Sequence, residues 1–473
     1  MDKAVSRKHA HNAKAASVPY STPDERAAQG RLIRDQVSRS SHSGWKLPEQ
    51  RRDVIELLEE SNTGRLPRLI PIRFGRMSVS PFAFYRGGAA IMAADLATTP
   101  TSGLRVQACG DAHLMNFGGF ATPERHVIFD VNDLDETLPA PFEWDLKRLA
   151  ASVVIAAQHL ELPYSDTVRL TTDLVRQYRE RMHDYAYMRV LDVWYDRIDL
   201  QKYQDRQGDP DVIETARKRI AQRIEAERQK TAPDFLYPKL VTEEGGRPRI
   251  KDEPPLIFHP DSELAPGLES GYAEAIASYR ESLAEHVRTL FDRFHLVDLA
   301  AKVVGLGSVG TMCSVGLLLA SDNDPLFLQV KEARASVLEP YAGKSVHPNH
   351  GQRVIAGQRI MQSASDVFLG WSRGKNGRDF YIRQLRDMKM SVVMEALDAG
   401  MLRQYGRMCA HALARAHARS GDAAMIAGYM GSSGAFDDAV TEFATEYSAQ
   451  NRRDYRAFIH AIREGRIEAM TED

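Results

Sequence analysis

The chain has 473 residues, of which 43% are apolar and 27% charged, and its formal net charge is −2. This length holds roughly two or three domain-sized units, and the near-neutral charge gives no general drive toward nucleic acid or an anionic membrane. The three cysteines lie far apart, which argues against a disulfide framework or a zinc site. No apolar run has the length of a membrane span, and no apolar h-region follows the basic N-terminal residues, so we expect no secretory signal. We therefore expect a cytoplasmic protein.

The predicted elements fall into four regions in chain order. Residues 1–45 are polar and are expected to form a mostly disordered tail, with a short helix near residues 24–38. Residues 46–295 are predicted to be mainly helical and to contain one strand–loop–hairpin unit. Residues 296–390 change to a strand-rich pattern, and residues 391–473 return to helix. The predicted helices cover residues 48–60, 78–96, 141–200, 211–230, 269–294 and 351–369, and the predicted strands of the third region cover residues 313–320, 326–330 and 380–385.

The main candidate site lies in the strand–loop–hairpin unit. A short apolar strand ends at Ala108, Asp111 follows it in a loop, and Asn116 comes five residues after Asp111. A hairpin then ends on Asp130. Phosphoryl-transfer enzymes use such a set, in which one carboxylate accepts the substrate proton while an amide and a second carboxylate hold Mg²⁺. We predict that Asp111 is catalytic and that Asn116 and Asp130 bind Mg²⁺.

Neighbouring polar side chains have roles that the sequence leaves open. His113 either orients the loop and touches a phosphate, or makes a structural hydrogen bond. Asp133 and Asp135 are alternatives to Asp130 as metal ligands, and Asp130 is preferred because it directly ends the apolar strand. Asp145 opens the next helix, and we expect it to support the loop.

A glycine-rich segment, Gly-Leu-Gly-Ser-Val-Gly, covers residues 305–310. Glycines at this spacing let backbone N–H groups approach phosphates closely. The same spacing occurs in dinucleotide-binding turns, which need a helix directly afterwards, and it also occurs in plain tight turns. Because the following residues have a strand pattern, we predict a hairpin that covers ATP through Gly305, Gly307, Ser308 and Gly310.

Lys331 ends the second apolar strand after the glycine-rich segment. A lysine in this place can bind the α- and β-phosphates of ATP. The sequence does not decide which acidic residue pairs with Lys331. Glu339 is a candidate because it can lie on a helix that orients the lysine, whereas the adjacent Glu332 would point to the opposite face of the strand.

Three arginines, Arg73, Arg76 and Arg86, flank the predicted start of the helix at residue 78. They can grip a phosphorylated or acidic substrate, or they can form ordinary surface ion pairs.

Residues 109–130 resemble the catalytic core of the aminoglycoside phosphotransferase branch of the protein-kinase-like superfamily, whose motif is H-G-D-x-H-x-x-N. Cys109 stands in place of the first histidine. The glycine-rich segment with Lys331 resembles the ATP lid of that superfamily, and residues 405–417 (YGRMCAHALARAH) are similar to the helix before its catalytic loop. The two halves occur in reversed order, so the resemblance implies a circular permutation. A site assembled in space does not depend on chain order.

The chain also resembles the DUF2252 family of uncharacterised bacterial proteins. The segments RMSVSPFAFYRG, GDAHLMNFG and LQVKEARASVLEPY carry this resemblance, which spans most of residues 70–420. It brings no assigned substrate.

Together these observations predict an α+β, two-lobed, protein-kinase-like fold with circularly permuted lobes, one mostly helical and one a small antiparallel sheet. The expected function is ATP- and Mg²⁺-dependent phosphotransfer to a hydroxyl acceptor, with small molecules among the candidates. The alternatives are a pseudokinase or AMP transferase on the same scaffold, a dinucleotide-dependent oxidoreductase, and a non-catalytic interaction protein. The acceptor and the oligomeric state cannot be read from the residues.

Overall fold

The structure is a computed structural model that describes residues 21–470 except 203–213, 215–217, 219–220, 223, 227–235, 260–267, 304, 323, 375–376 and 386–388. The first 20 residues of the predicted tail and most of the predicted helix over residues 211–230 therefore lie outside the described residues. The described chain is a mixed α+β structure with many helices and small antiparallel sheets. This confirms the predicted α+β class.

The helices and strands are named here in chain order. The helices of the first half are α1 (Pro23–Leu32), α2 (Val54–Asn62), α3 (Ile70–Ser78), α4 (Pro81–Gly87), α5 (Ala89–Leu96), α6 (Phe142–His159), α7 (Tyr164–Tyr187) and α8 (Val190–Tyr195). The later helices are α9 (Tyr237–Leu240), α10 (Leu268–Ser282), α11 (Glu285–Phe291), α12 (Glu339–Ala342), α13 (His350–Met361), α14 (Ala399–Ser420), α15 (Ala423–Met430) and α16 (Ala435–Arg463). The strands are β1 (Arg105–Ala108), β2 (Phe117–Ala121), β3 (Val127–Val131), β4 (Leu138–Pro141), β5 (Ile198–Asp199), β6 (Val241–Glu244), β7 (Arg247–Ile250), β8 (Ile257–Phe258), β9 (His295–Lys302), β10 (Cys313–Leu319), β11 (Pro325–Ala333), β12 (Gly370–Arg373) and β13 (Asp379–Gln384).

The sequence predicts a mostly disordered tail over residues 1–45, with a short helix near residues 24–38. The helix is present as α1, and residues 21–45 are ordered beyond it. Thr22 and Glu25 form a capping box at the start of α1, which satisfies free backbone N–H groups. The helix packs against α15, and Arg34 donates a hydrogen bond of 2.8 Å to the carbonyl oxygen of Tyr429. The compositional argument missed these contacts because their partners lie some 400 residues away.

Several predicted helices are interrupted or shorter than expected. The helical region expected over residues 141–200 is divided into α6, α7 and α8 and ends in the strand β5, and the helix expected over residues 351–369 ends at Met361. The helix expected over residues 78–96 is divided at Gly88, which ends α4 and begins α5; glycine is a poor helix former. The helix expected over residues 269–294 ends at Ser282, whose hydroxyl donates to the carbonyl oxygen of Tyr279 at 2.6 Å. The strand β9 begins at His295.

The helical core is centred on α6, of whose 18 residues 16 are buried. The helices α7 and α16 pack against it, and α14 packs against α7. Helices from both ends of the chain therefore share one hydrophobic core. Within the described residues, none of the helices combines the length and the apolar character that crossing a lipid bilayer requires.

The largest sheet has the antiparallel strand order β12-β13-β11-β10-β9-β8. The glycine-rich segment connects β9 to β10, and Lys331 lies near the end of β11. The helix α13 follows β11 in the chain and packs on β12 and β13. Strand pairing explains the predicted hairpin: Cys313 lies opposite Lys331, and Leu319 lies opposite Pro325.

Candidate functional site

The loop between β1 and β2 is fixed by Asp145, the fourth residue of α6. The carboxylate of Asp145 accepts hydrogen bonds from the backbone N–H groups of Cys109 (2.6 Å) and Gly110 (2.9 Å). His417 on α14 lies 3.1 Å from the same carboxylate. Gly110 has φ of 82°, and a Cβ there would lie 2.4 Å from the carbonyl oxygen of Glu136. The loop thus needs glycine at this position, and Asp145 supports it as expected.

Asp111 lies in this loop and is paired with Arg148 of α6. The Nε atom of Arg148 donates to Oδ1 of Asp111 at 2.6 Å, and its Nη2 forms a second short contact with the same oxygen. Burial outweighs this ion pair and raises the pKa of Asp111 to about 7. The side chain keeps 18% of its surface exposed, and its carboxyl group can change protonation near neutral pH.

His113 is buried beside Asp111, with its Nε2 atom 3.8 Å from Oδ2 of Asp111. Burial and the charges of Arg148 and Arg86 hold the pKa of His113 well below its usual value. The imidazole is therefore neutral at physiological pH. Its Nδ1 atom has no hydrogen-bond partner among the described residues.

Asn116 ends the loop and connects it to the next hairpin. Its side-chain amide donates to the carbonyl oxygen of Asp111 at 2.8 Å, and its own backbone oxygen accepts from the N–H of Asn132 at 2.8 Å. Within the described parts of the chain, the side-chain oxygen accepts no hydrogen bond. That oxygen remains available to a cation.

Asp130, the predicted metal ligand, is fully buried in β3. Its Oδ1 accepts from Nη2 of Arg415 at 2.6 Å, and its Oδ2 accepts from the N–H (2.9 Å) and the hydroxyl (3.1 Å) of Ser363. A cation at this carboxylate would have to displace Arg415. Asp130 therefore connects the β2–β3 hairpin to helix α14 and to the segment after α13.

Lys331 meets the two alternative carboxylates. Its Nζ atom lies 2.7 Å from Oδ2 of Asp135 and 3.8 Å from Oδ1 of Asp133. The hydroxyl of Tyr381 donates to the other oxygen of Asp135. Lys331 is buried, whereas the side chains of Asp133 and Asp135 are 40% and 26% exposed. The lysine on β11 and the loop that connects β3 to β4 (residues 132–137, called the acidic loop below) are thus in direct contact.

The pKa values of the two carboxyl groups are shifted in opposite directions. Burial would raise the pKa of Asp135, but the charge and hydrogen bond of Lys331 hold it well below its usual value. Burial and the neighbouring Asp135 charge raise the pKa of Asp133. One lysine compensates the negative charge of a single carboxylate more fully than the charge of two carboxylates. A bound cation would therefore favour the ionised form of both Asp133 and Asp135.

The structure does not bring Glu339 to Lys331. Its Oε1 lies 3.8 Å from Nδ1 of His350. Glu332 points to the opposite face of β11, as predicted, and pairs there with Arg378 at 2.9 Å. The acidic partner of Lys331 is Asp135, which the sequence analysis had considered only as a metal ligand.

Arg353 on α13 was missed by the sequence analysis. Its guanidinium donates to the backbone oxygens of Thr137 (2.6 Å), Asp135 (2.7 Å) and Arg334 (2.8 Å). It thereby holds the acidic loop against the end of β11. A buried arginine of this kind has no local sequence signal, because its partners are backbone atoms of distant segments.

The glycine-rich segment is held in place by Arg65, in the loop after α2, and by helices that pack against Leu306. Arg65 donates to the carbonyl oxygen of Val309 at 2.6 Å, and Leu306 is buried among side chains of α3, α4 and α5. Gly305 and Gly310 have φ of 64° and 86°, which suits glycine. The hydroxyl of Ser308 donates to Asp135 at 3.3 Å. The segment therefore reaches the same carboxylate as Lys331.

Residues 313–319 form the strand β10. A dinucleotide-binding turn requires a helix at this position. The oxidoreductase alternative therefore lacks the element on which it depends.

Two of the three flanking arginines have structural partners. Arg73 is buried and donates to the side chain of Asn62 at 2.5 Å and to the carbonyl oxygen of Gly87 at 3.1 Å. Arg76 donates to the carbonyl oxygen of Gly305. Arg86 has a different environment, described below.

The described residues contain no group of three or more His, Cys, Asp and Glu side chains arranged for a metal ion. Asn116, Asp133 and Asp135 provide only oxygen ligands, which suit Mg²⁺. Because Mg²⁺ in nucleotide sites is commonly bound by one or two carboxylates together with substrate phosphates, this set fits a metal that arrives with ATP.

A family model described as "Uncharacterized protein conserved in bacteria (DUF2252)" matches residues 65–461. The chain therefore belongs to this family, which confirms the family resemblance predicted from the sequence. The comparison with curated proteins and the comparison with solved structures give no match.

Proposed function

We propose that this member of the DUF2252 family transfers the γ-phosphoryl group of ATP to a hydroxyl group of an acceptor, with Mg²⁺ as cofactor. The observation that carries the proposal is the contact of Lys331 with Asp135 at 2.7 Å. It joins the segment predicted to bind ATP to the segment predicted to bind Mg²⁺ and the acceptor. The loop of Asp111 is also in contact with the acidic loop. The thiol of Cys109, two residues before Asp111, donates to the carbonyl oxygen of Asp133 at 3.4 Å.

The order of elements in the large sheet supports this proposal. Protein kinases cover the ATP phosphates with a glycine-rich loop and place the phosphate-binding lysine on the third strand. Here the glycine-rich segment joins β9 and β10, and Lys331 lies on β11, the next strand in both chain and sheet order. The helix α13 then precedes β12 and β13.

Asn116, Asp133 and Asp135 would hold Mg²⁺. When bound, Mg²⁺ neutralises charge on the phosphate oxygens. The side-chain oxygen of Asn116 is already oriented, because the amide nitrogen of the same side chain donates a hydrogen bond to the backbone carbonyl oxygen of Asp111. Lys331 would exchange its contact with Asp135 for the α- and β-phosphates, and Ser308 and the neighbouring backbone N–H groups would face the phosphates.

Asp111 would act as the general base. Its carboxylate accepts the proton of the acceptor hydroxyl as the acceptor oxygen bonds to the γ-phosphorus, and the bond between that phosphorus and the β–γ bridging oxygen breaks to release ADP. Arg148 fixes the carboxylate in place. The raised pKa of Asp111, about 7, gives the carboxylate useful basicity at neutral pH.

The identity of the nucleotide product tests this proposal. The wild-type protein and Asp111→Asn are incubated with ATP, Mg²⁺ and a panel of hydroxyl compounds, and the products are separated by chromatography. We expect ADP from the wild type and a decrease of about a thousandfold in Asp111→Asn, with ATP binding retained. Release of pyrophosphate would indicate AMP transfer instead, and ATP binding without any product would indicate a pseudokinase. Full turnover by Asp111→Asn would exclude Asp111 as the base.

A further inference from the structure

Arg86 lies in the last turn of α4 and is half-buried. Its Nε atom is buried and has no hydrogen-bond partner among the described residues. Within the same parts of the chain, its guanidinium makes no ion pair. Arg73 on α3, by contrast, uses its guanidinium to bind Asn62, Ser61 and a backbone oxygen.

Arg86 is held on the Asp111 side of the candidate site by the residue before it. The hydroxyl of Tyr85 donates to the carbonyl oxygen of Arg148 at 2.7 Å, and Nη2 of Arg148 donates to the carbonyl oxygen of Tyr85 at 3.2 Å. The guanidinium of Arg148 also lies over the Tyr85 ring, 4.6 Å from its centre. The residue that binds Asp111 therefore also fixes the backbone at Arg86.

The charges around Arg86 agree with this placement. Burial lowers the pKa of Arg86, and the carboxylates of Asp111 and Glu395 act against that effect. Glu395 is 72% exposed and lies 3.8 Å from His159. The charge of Arg86 in turn helps to lower the pKa of His113. Arg86 is thus close enough to influence both Asp111 and His113 electrostatically.

The buried Nε atom of Arg86 has lost water without gaining an acceptor among the described residues, which is unfavourable. An oxyanion in front of it would remove this cost through charge-assisted hydrogen bonds. Arginine suits this task better than lysine, because its planar group can donate two parallel hydrogen bonds to a phosphate or a carboxylate.

We infer that Arg86 forms an anion-binding subsite beside Asp111, and that the acceptor is a hydroxyl compound carrying a phosphate or carboxylate group. This inference rests on the proposed phosphotransferase function. The hydroxyl of the acceptor would face Asp111 while its anionic group binds Arg86. Lys331 and the glycine-rich segment would bind the nucleotide separately, so Arg86 would contribute to acceptor affinity and not to ATP affinity.

Anion binding to the nucleotide-loaded protein tests the inference. The wild type is saturated with a non-hydrolysable ATP analogue and Mg²⁺, and inorganic phosphate or acetate is then titrated by calorimetry at constant ionic strength. We expect saturable binding of at least one anion, a loss of about tenfold or more in Arg86→Gln, and a smaller loss in Arg86→Lys. Arg169→Gln, which removes an arginine 79% exposed on α7, is the control for net charge and should bind as the wild type does.

The outcomes separate this inference from the proposed function. If neither anion binds the wild type, or if Arg86→Gln binds them equally well, the subsite does not exist. If Arg86→Gln instead loses affinity for the ATP analogue, Arg86 belongs to the nucleotide site and the inference is wrong. If the wild type does not bind the analogue at all, the proposed function fails, and titrating phosphate into the nucleotide-free proteins still decides whether Arg86 binds anions.

Discussion

Lys331 and Asp135 are 196 positions apart in the chain, yet the Nζ atom of the first lies 2.7 Å from a carboxylate oxygen of the second. The lysine comes from the large sheet and the aspartate from the acidic loop between β3 and β4. Through this pair, the sheet is coupled to the loop that carries Asp111. The pair should therefore contribute both to stability and to nucleotide binding.

A double-mutant cycle measures the contribution of this pair to stability. Asp135→Asn leaves the buried ammonium group of Lys331 without its closest carboxylate, and we expect the free energy of unfolding to fall by about 2 kcal/mol. Lys331→Met and the double variant complete the cycle, which should give a coupling energy of about 1 to 3 kcal/mol in urea denaturation. A coupling energy near zero would mean that the contact is not formed in solution.

The choice between metal ligands can be tested by exchanging single carboxylates for amides. Asp133→Asn and Asp135→Asn should each weaken Mg²⁺ binding, measured in the presence of a non-hydrolysable ATP analogue, by about tenfold. Asp130→Asn should leave Mg²⁺ affinity nearly unchanged but should destabilise the fold by about 3 kcal/mol, because Arg415 loses its buried partner. The opposite pattern, with Mg²⁺ lost only in Asp130→Asn, would restore Asp130 as the ligand.

The pH dependence of turnover reports the state of Asp111. Because burial raises the pKa of this carboxyl group to about 7, the protonated form prevails below that pH and cannot accept a proton. We expect kcat/KM to rise about tenfold per pH unit below neutrality and to level off above it. Removing the positive charge that favours the ionised form, as in Arg148→Gln, should move the midpoint to higher pH. A profile that stays flat from pH 5.5 to 8 would contradict the role of Asp111.

The structural features that depend on local sequence pattern could be predicted from the sequence alone. The strand before Asp111, the hairpin after Asn116 and the paired strands that carry Lys331 follow from alternating apolar residues and turn residues, and the structure has all of them. The glycine-rich segment was also assigned correctly to a strand-to-strand connection.

The features that depend on distant partners were not predictable in this way. Asp130 was preferred as a metal ligand because of its place at a strand end, but its environment is decided by Arg415, 285 positions further along the chain. Asp135 was not recognised as the acidic partner of Lys331, because local spacing says nothing about how closely two segments approach. Arg148 and Arg353 gave no signal, since arginines on predicted helices are usually exposed.

The central claim is that ATP and Mg²⁺ bind where Lys331 meets the acidic loop, and a calorimetric titration tests it most directly. A non-hydrolysable ATP analogue with Mg²⁺ is titrated into the wild type, into Lys331→Ala, and into Lys344→Ala, which removes an exposed lysine from the segment after α12. We predict Mg²⁺-dependent binding to the wild type and to Lys344→Ala, and a loss of affinity of about tenfold or more in Lys331→Ala. Equal affinity of all three proteins, or no binding to the wild type, would contradict the claim.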